Sequence, residues 1–547
     1  MHWNNKDAIL TLIKRLVKIP SVAGTEQEND MADKLIDILK EIPYFAENEG
    51  YIYQQAIKGD SLGRRAIAAL VKGTSSPASK TVILMSHYDV VGVDDYGYLK
   101  SFAFDPDEYT ERLKQETLPV DVREDLESGN WLFARGIMDM KAGLAVQIAL
   151  LSELCQDRNF EGNVLLLSTP DEERNSEGML AAVKLLRELQ QEAGLQYELA
   201  ICSEPSFSRY PGDDSKYLYL GSVGKLLPLL FCSGRETHVG EPFEGLNAAW
   251  MAAAFVNNME LSDQFIEKAG TLKNPPPMAL KLMDLKEHYN VQTPKHSYVL
   301  YNVLTLLQTP QDVMQKLKDV ADKSAMDILA KLKRAYLHAE GAPYLEYIEK
   351  LKPKTYTYSE LYDLGMERHG DVFVKEMDEA LLKSTAMDFD YRDLTVAMAK
   401  TISGYFQDLE PFYLLLFAPP FYPHVSLQSG NVRDDKIIRV TEQIISLSLE
   451  KFNQEIKLQQ YFMGLSDVSY CRLLEADQVI PALSREMPLY GIRYNLPLQD
   501  INELDIPTIN LGPYGKDAHK RTERLELTFS LQQFPHLLKE AVTAALQ

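Results

Sequence analysis

The chain has 547 residues, 45 % of them hydrophobic and 25 % charged, enough apolar material to fold as two or three domains. Its formal net charge of −22 opposes binding to phosphate backbones and to anionic membrane surfaces, both of which need clustered Lys and Arg. Nucleic acid and membranes are therefore excluded as expected partners.

The four cysteines, Cys155, Cys202, Cys232 and Cys471, have no Cys-x-x-Cys spacing, and each lies in or beside an apolar stretch. That usage suits reduced core thiols and a reducing compartment. The opening "MHWNNKDAILTLIKRLVKIPSVAGTEQE" spreads charges through its apolar positions, so neither a signal peptide nor a bilayer span is expected. The expected location is the cytosol.

In chain order, Ile9, Leu12, Ile13, Leu16 and Val17 recur at helical spacing, and the helix should stop near Pro20. Thr25-Glu26-Gln27-Glu28 reads as a capping box opening a second helix through Leu39. Four short runs follow, "TVILMSH" ending at His87, "NVLLLSTPDEE" ending at Glu172 and Glu173, "ELAICSEP" delivering Glu204, and "IPTINLGPYGKDAH" leading to His519. Their lack of alternation suits strands buried on both faces of a mostly parallel sheet. "KAGLAVQIALLSEL" and "GMLAAVKLLRELQQEA" read as the crossover helices. The expected fold class is α/β, with a doubly wound sheet and its polar residues gathered at the carboxyl ends of the strands.

From about Lys216 to Pro423 the pattern changes. "KYLYLGSVGKLLPLLFCSG" reads as two strands, "GLNAAWMAAAFVNNME" as a helix, "SYVLYNVLTLLQ" as a strand and Gln311 to Ala339 as a long charged helix. "STAMDFDYRDLTVAMAKTISGYF" reads as strand then helix, and "PFYLLLFAPPFYP" as a last strand. This predicts a first catalytic part at 1–215, an inserted α+β domain with a mainly antiparallel sheet at 216–424, and a second catalytic part at 425–547.

The expected rim of the sheet collects His87, Asp139, Glu173, Glu204 and His519, two imidazoles and three carboxylates. Hydrolytic divalent metals use that donor set, and a pair of ions about 3.5–4 Å apart needs a bridging carboxylate. Asp139 lies in "ARGIMDMKAGLAV", where Gly136 loosens the turn just before a helix. Glu172 beside Glu173 lets one carboxylate bind metal while the other handles a proton. Asp89 could hydrogen-bond the imidazole nitrogen of His87 that is not on the metal. Taken singly, each histidine is more often a surface or core residue, and Glu172-Glu173 a solvated helix start. Those readings give no reason for all five to share one sheet edge.

Taken together, His87-x-Asp89, "RGIMDMKAG", "DEE", "SEP" and "GKDAHKRTE" resemble, in order, the motifs of the zinc exopeptidase and amidohydrolase family. That family includes aminoacylase, acetylornithine deacetylase, succinyl-diaminopimelate desuccinylase and the glutamate carboxypeptidases. The resemblance implies that His87, Asp139 and Glu204 bind one zinc and that Asp139, Glu173 and His519 bind the other. It implies Glu172 as general base, Asp89 as an orienting residue, and a non-proline cis peptide at Asp139-Met140. His238 in "RETHVGEP" is similar to a lid histidine that stabilises an oxyanion. Arg392 in Asp390-Tyr391-Arg392 resembles a lid strand residue that binds a substrate carboxylate, Asn302 is a weaker lid contact, and "GLSDVSY" resembles a pocket-lining turn. Chain length and "VREDLESGNWLFARGIMDMKAGLAVQIALL", "RYPGD", "GSVGKLLP" and "THVGEPFEGLNA" further resemble the arginine-utilization branch of the family.

The expected activity is metal-dependent hydrolysis of an amide or peptide bond in a small N-acyl amino acid or dipeptide, in arginine or other amino-acid catabolism. Two divalent ions are the expected cofactors, zinc first, with cobalt and manganese compatible with the same ligands. The enlarged insert, whose stretch from Asn274 to about Lys383 has no family counterpart, leaves the family's homodimer an open alternative. A second reading is a catalytically inactive sensor or scaffold that binds an amino-acid-like ligand. It would be favoured by loss of the base or a ligand, and every such position is filled. Serine-hydrolase, nucleotide-triphosphatase and dinucleotide motifs are absent from the sequence.

Overall fold

The computed structural model describes residues 3–73, 79–206, 208–210, 212–340, 345–383 and 390–547. The chain divides into two compact units, one of Met1–Ser222, Val425–Leu473 and Gln499–Gln547, the other of Val223–His424 and Leu474–Leu498.

The first unit is built on an eight-stranded sheet in the order Ile52–Ala56, Arg65–Lys72, Asn163–Thr169, Lys80–His87, Gln196–Cys202, Thr508–Asn510, Lys216–Tyr219, Ile456–Gln459. The four middle strands, from Asn163–Thr169 to Thr508–Asn510, run parallel. Their side chains are buried on both faces, which is why their sequences lack alternation. The crossover helices are Ala142–Leu154, almost wholly buried, and Glu177–Glu192, buried along one stripe through Met179, Leu186 and Leu189. Helix Lys6–Val17 buries the five apolar residues read from its periodicity. Leu84 lies in the middle of the sheet with no exposure. Leu84→Ala is expected to cost about 2–5 kcal/mol, read as a lower denaturation midpoint in urea; a loss under about 1 kcal/mol would contradict so tight a packing.

Helix Gln27–Lys40 starts close to the expected position, yet the capping box does not form. The Thr25 hydroxyl donates to the Val22 carbonyl at 2.7 Å, and the Glu28 carboxylate turns inward to meet buried donors. A buried guanidinium and a buried amide N–H outcompete a solvated helix end for that carboxylate.

The second unit carries a five-stranded sheet in the order Met278–Asp284, His296–Thr305, Gly224–Ser233, Phe412–Tyr422, Lys354–Thr357, antiparallel except for the last pair. Helices Ala248–Met259 and Pro310–Ala339 belong to the same unit. The long helix starts with a complete capping box between Thr309 and Asp312 and with Pro310 in its first turn. Its buried stripe runs through Val313, Leu317, Val320, Ser324 and Ile328, at helical spacing.

The units differ from the expected domain limits in two places. Strand Lys216–Tyr219 joins the large sheet by pairing with Ile456–Gln459. Residues Leu474–Leu498 group with the second unit, where Glu486 accepts hydrogen bonds from the Ser359 amide and hydroxyl. The expected strand before Asp390 lies largely outside the described residues.

Candidate metal centre

The carboxyl ends of the parallel strands supply the site. His87 is the last residue of its strand, the Asp171–Glu173 turn follows the strand ending at Thr169, and Glu204 follows the strand ending at Cys202. Asp139 sits just before helix Ala142–Leu154, and the Asp139-Met140 peptide is cis. The turn ahead of it uses Gly136 at φ 72°, where a Cβ would come within 2.4 Å of Val90 Cγ1. A side chain there would meet both an unfavourable left-handed backbone and a clash.

Asp139 reaches in two directions. Its Oδ1 lies 3.3 Å from His87 Nε2, which is also 3.4 Å from Glu204 Oε1. Its Oδ2 lies 3.3 Å from His519 Nε2, which is 3.1 Å from Glu173 Oε2. The carboxylate thus faces two half-sites with one oxygen each. Two sets of ligand atoms, from His87, Glu172 and Glu204 and from His87, Asp139 and Glu173, fall within 4.8 Å of one another.

The orientation of His87 is set from behind. Its Nδ1–H donates to the backbone carbonyl of Asp89 at 3.0 Å, which turns Nε2 toward Asp139 and Glu204. The sequence expectation placed Asp89 at this ring nitrogen, and the structure makes the contact with its main-chain carbonyl, the carboxylate standing farther off. That carboxylate oxygen stands 3.5 Å from the ring, while its two oxygens accept the amide N–H groups of Glu172 and Glu173 at 3.2 and 3.1 Å. Asp89 therefore orients the imidazole through its main chain and the paired glutamates through its side chain. Two successive amides in a turn present a forked donor that a carboxylate satisfies better than one ring nitrogen does.

The electrostatics call for positive charge. Burial pushes Glu172 well above the usual carboxylate range and Glu204 up to about 7. Burial also raises Glu173, helped by the neighbouring Asp139 charge. Burial alone would raise Asp139 too, but hydrogen bonds from His519 and His87 hold it well below the ordinary value. Hydrogen bonding to Asp139 and Glu173 lifts His519 to about 11. Burial opposes protonation of His87, yet Glu204 and Asp139 outweigh it and raise the ring well above its usual value. Clustered carboxylates thus draw protons onto both imidazoles, and divalent cations at the same nitrogen and oxygen atoms would answer that charge directly. The residues fit a pair of such ions.

Sequence reasoning leaves two residues of this rim without a role. Glu523, buried, accepts the Met138 and Asp139 amides at 3.2 and 3.4 Å and the Arg135 guanidinium at 2.8 Å. It stands four residues after His519 in "GKDAHKRTE", and that proximity is the signal that could have found it. Glu28 is the second. Asp467 of the expected pocket-lining turn is buried, accepts the Thr169 hydroxyl at 2.8 Å and is pushed by burial up to about 7.

His238, Asn302 and Arg392 belong to the second unit. His238 is exposed, and its Nδ1 accepts the Gly240 amide at 3.0 Å, so the neutral ring carries its proton on Nε2. Asn302 is half-buried on strand His296–Thr305, opposite Met278. Arg392 was expected on a strand and instead lies in the first turn of helix Tyr391–Ser403. The cause is local: the Asp390 carboxylate caps that helix by accepting the Arg392 amide at 2.8 Å, and it also pairs with the Arg392 guanidinium.

Comparison with known proteins accords with this geometry. The profile of the peptidase family M20/M25/M40 matches residues 83–470. The chain is 37 % identical over 552 residues to the uncharacterized protein YqjN of Bacillus subtilis (strain 168), covering 100 % of this chain and 98 % of that one. It is 31 % identical over 554 residues to protein RocB of the same organism, covering 100 % and 96 %. Its fold is similar to that of a tripeptidase from Staphylococcus aureus, with a TM-score of 0.53 at 14 % identity over 99 % of each chain. The protein belongs to the M20 peptidase family, and its class is therefore that of the metal-dependent peptidases and amidohydrolases. Among the described residues no helix is long and apolar enough to cross a membrane.

Proposed function

We propose that the protein hydrolyses an amide or peptide bond in a small N-acyl amino acid or dipeptide, using two divalent ions, zinc foremost, in the cytosol. The observation that carries this reading is Asp139, whose two oxygens face two separate imidazole and carboxylate pairs. His87 and Glu204 would hold one ion, Glu173 and His519 the other, with Asp139 shared. Such ions, when bound, acidify water and polarise a carbonyl oxygen.

The protein's own groups do the rest. Glu172 takes the proton of the attacking water and passes it to the leaving nitrogen, so that an amine rather than an amide anion departs. Asp89 keeps Glu172 and Glu173 in place by holding both of their amides. His238, with its Nε2 proton, is the proposed donor to the oxyanion, and Arg392 and Asn302 are proposed to contact the substrate. The resemblance of its motifs to the arginine-utilization branch of the family is the ground for proposing a substrate from arginine or related amino-acid catabolism.

The test is metal content by mass spectrometry on protein purified without chelator, alongside turnover of N-acyl amino acids and dipeptides with basic, acidic and apolar side chains. Two ions per chain with hydrolysis is the expected result. Two ions without hydrolysis of any member would overturn the catalytic assignment, and no stable binding after reconstitution would overturn the metal centre.

A further inference from the structure

The turn Asp171–Glu173 carries both the proposed base and a proposed ligand, and its three successive amides all end on buried carboxylates. Asp89 takes Glu172 and Glu173. The Asp171 amide donates to Glu28 Oε1 at 2.9 Å. Asp171 itself has φ 67°, a left-handed conformation unfavourable for a residue with a Cβ, so the turn needs outside contacts to keep its shape.

Glu28 is anchored in turn. Its Oε2 accepts the Gly24 amide at 2.7 Å and Arg64 Nη1 at 3.2 Å. The same Nη1 also donates to the Asp171 carboxylate, and Asp60 holds the rest of the guanidinium. Side-chain exposure is 7 % for Arg64, 0 % for Glu28 and 1 % for Asp171. Asp171 Oδ2 then accepts the Glu177 amide at the start of helix Glu177–Glu192. A buried guanidinium thus ties helix Gln27–Lys40 to the first residue of the turn, while Asp89 holds the other two.

We infer that Glu28 and Arg64 form a positioning clamp that fixes the Asp171–Glu173 turn, and through it the carboxylates of Glu172 and Glu173. The clamp deepens the proposed function and rests on its assignment of Glu172 and Glu173. A purely structural ion pair would lower stability without choosing between kcat and KM or between the two half-sites. A clamp acts selectively. Outer partners of metal ligands commonly change affinity or activity by about 10–100-fold, and small displacements of a positioned group lower rate strongly.

The experiment uses the full chain with Glu28→Ala, Glu28→Gln and Arg64→Lys. Glu28→Ala is expected to lower kcat about 10–100-fold with KM within about 2-fold, and to weaken one of the two metal ions about tenfold in a competition titration. Glu28→Gln, which keeps an acceptor for the Asp171 amide, should recover most of both losses. Arg64→Lys keeps the charge but not the fork, and should give the same selective loss if Glu28→Ala does not fold. Parent-like kcat and parent-like affinity for both ions in the folded variants would overturn the clamp. Equal weakening of both ions together with a lowered melting temperature would also overturn it, in favour of a structural pair. The metal titration is independent of turnover: if the parent binds two ions yet hydrolyses nothing, the functional reading fails while the clamp is still decided.

Discussion

Glu172→Gln is expected to lower kcat by about 10²–10⁴-fold, the usual contribution of a positioned general base, while metal content stays at the parent level. The change keeps size and shape and removes only the ability to accept a proton. Its amide N–H remains on Asp89, so the turn has no reason to move. The carboxylate also falls in a ligand-atom cluster with His87 and Glu204, which gives the measurement a second use. Loss of one ion along with activity would make Glu172 a ligand instead of a base. Near-parent turnover would remove it from the mechanism.

Asp139→Ala is expected to have the second large effect, a loss of turnover above about 100-fold, the upper range for an outer partner of a metal site. Bound metal should fall below stoichiometric at both half-sites. The reason is the shared carboxylate: one oxygen faces His87 and the other His519. Removing it also withdraws the hydrogen bonds that help hold both rings. Glu204→Ala provides the contrast, since of the two imidazoles it is His87 that Glu204 pairs with, and it should cost one ion. If Asp139→Ala and Glu204→Ala each lost a single ion, the bridge would be disproved. Chelation of the parent followed by reloading should reproduce the Asp139→Ala loss and reverse it.

Much of the site is legible in the sequence because its residues follow strands whose burial leaves a plain mark. His87, Glu172, Glu173 and Glu204 stand at or just after unbroken apolar runs, and a parallel sheet brings such ends to one edge. Arg392 escapes such a reading because the apolar pattern around it does not show how strongly Asp390 caps a helix. Glu28 escapes it for a different reason. Acidic residues in a first helical turn usually face water, and its partner Asp171 lies 143 positions away.

By itself, the sequence determined the fold class and the family and marked candidate positions for metal, because hydrophobic periodicity and donor chemistry are written locally. Only the tertiary structure decided the role of each atom. Asp89 turns His87 with its carbonyl and the glutamate pair with its carboxylate, while Glu523 and Glu28 hold the backbone of the rim. Those choices depend on which buried donors and acceptors meet when distant segments pack. A buried polar group takes the partner that leaves least unsatisfied, and no local pattern states what that partner will be.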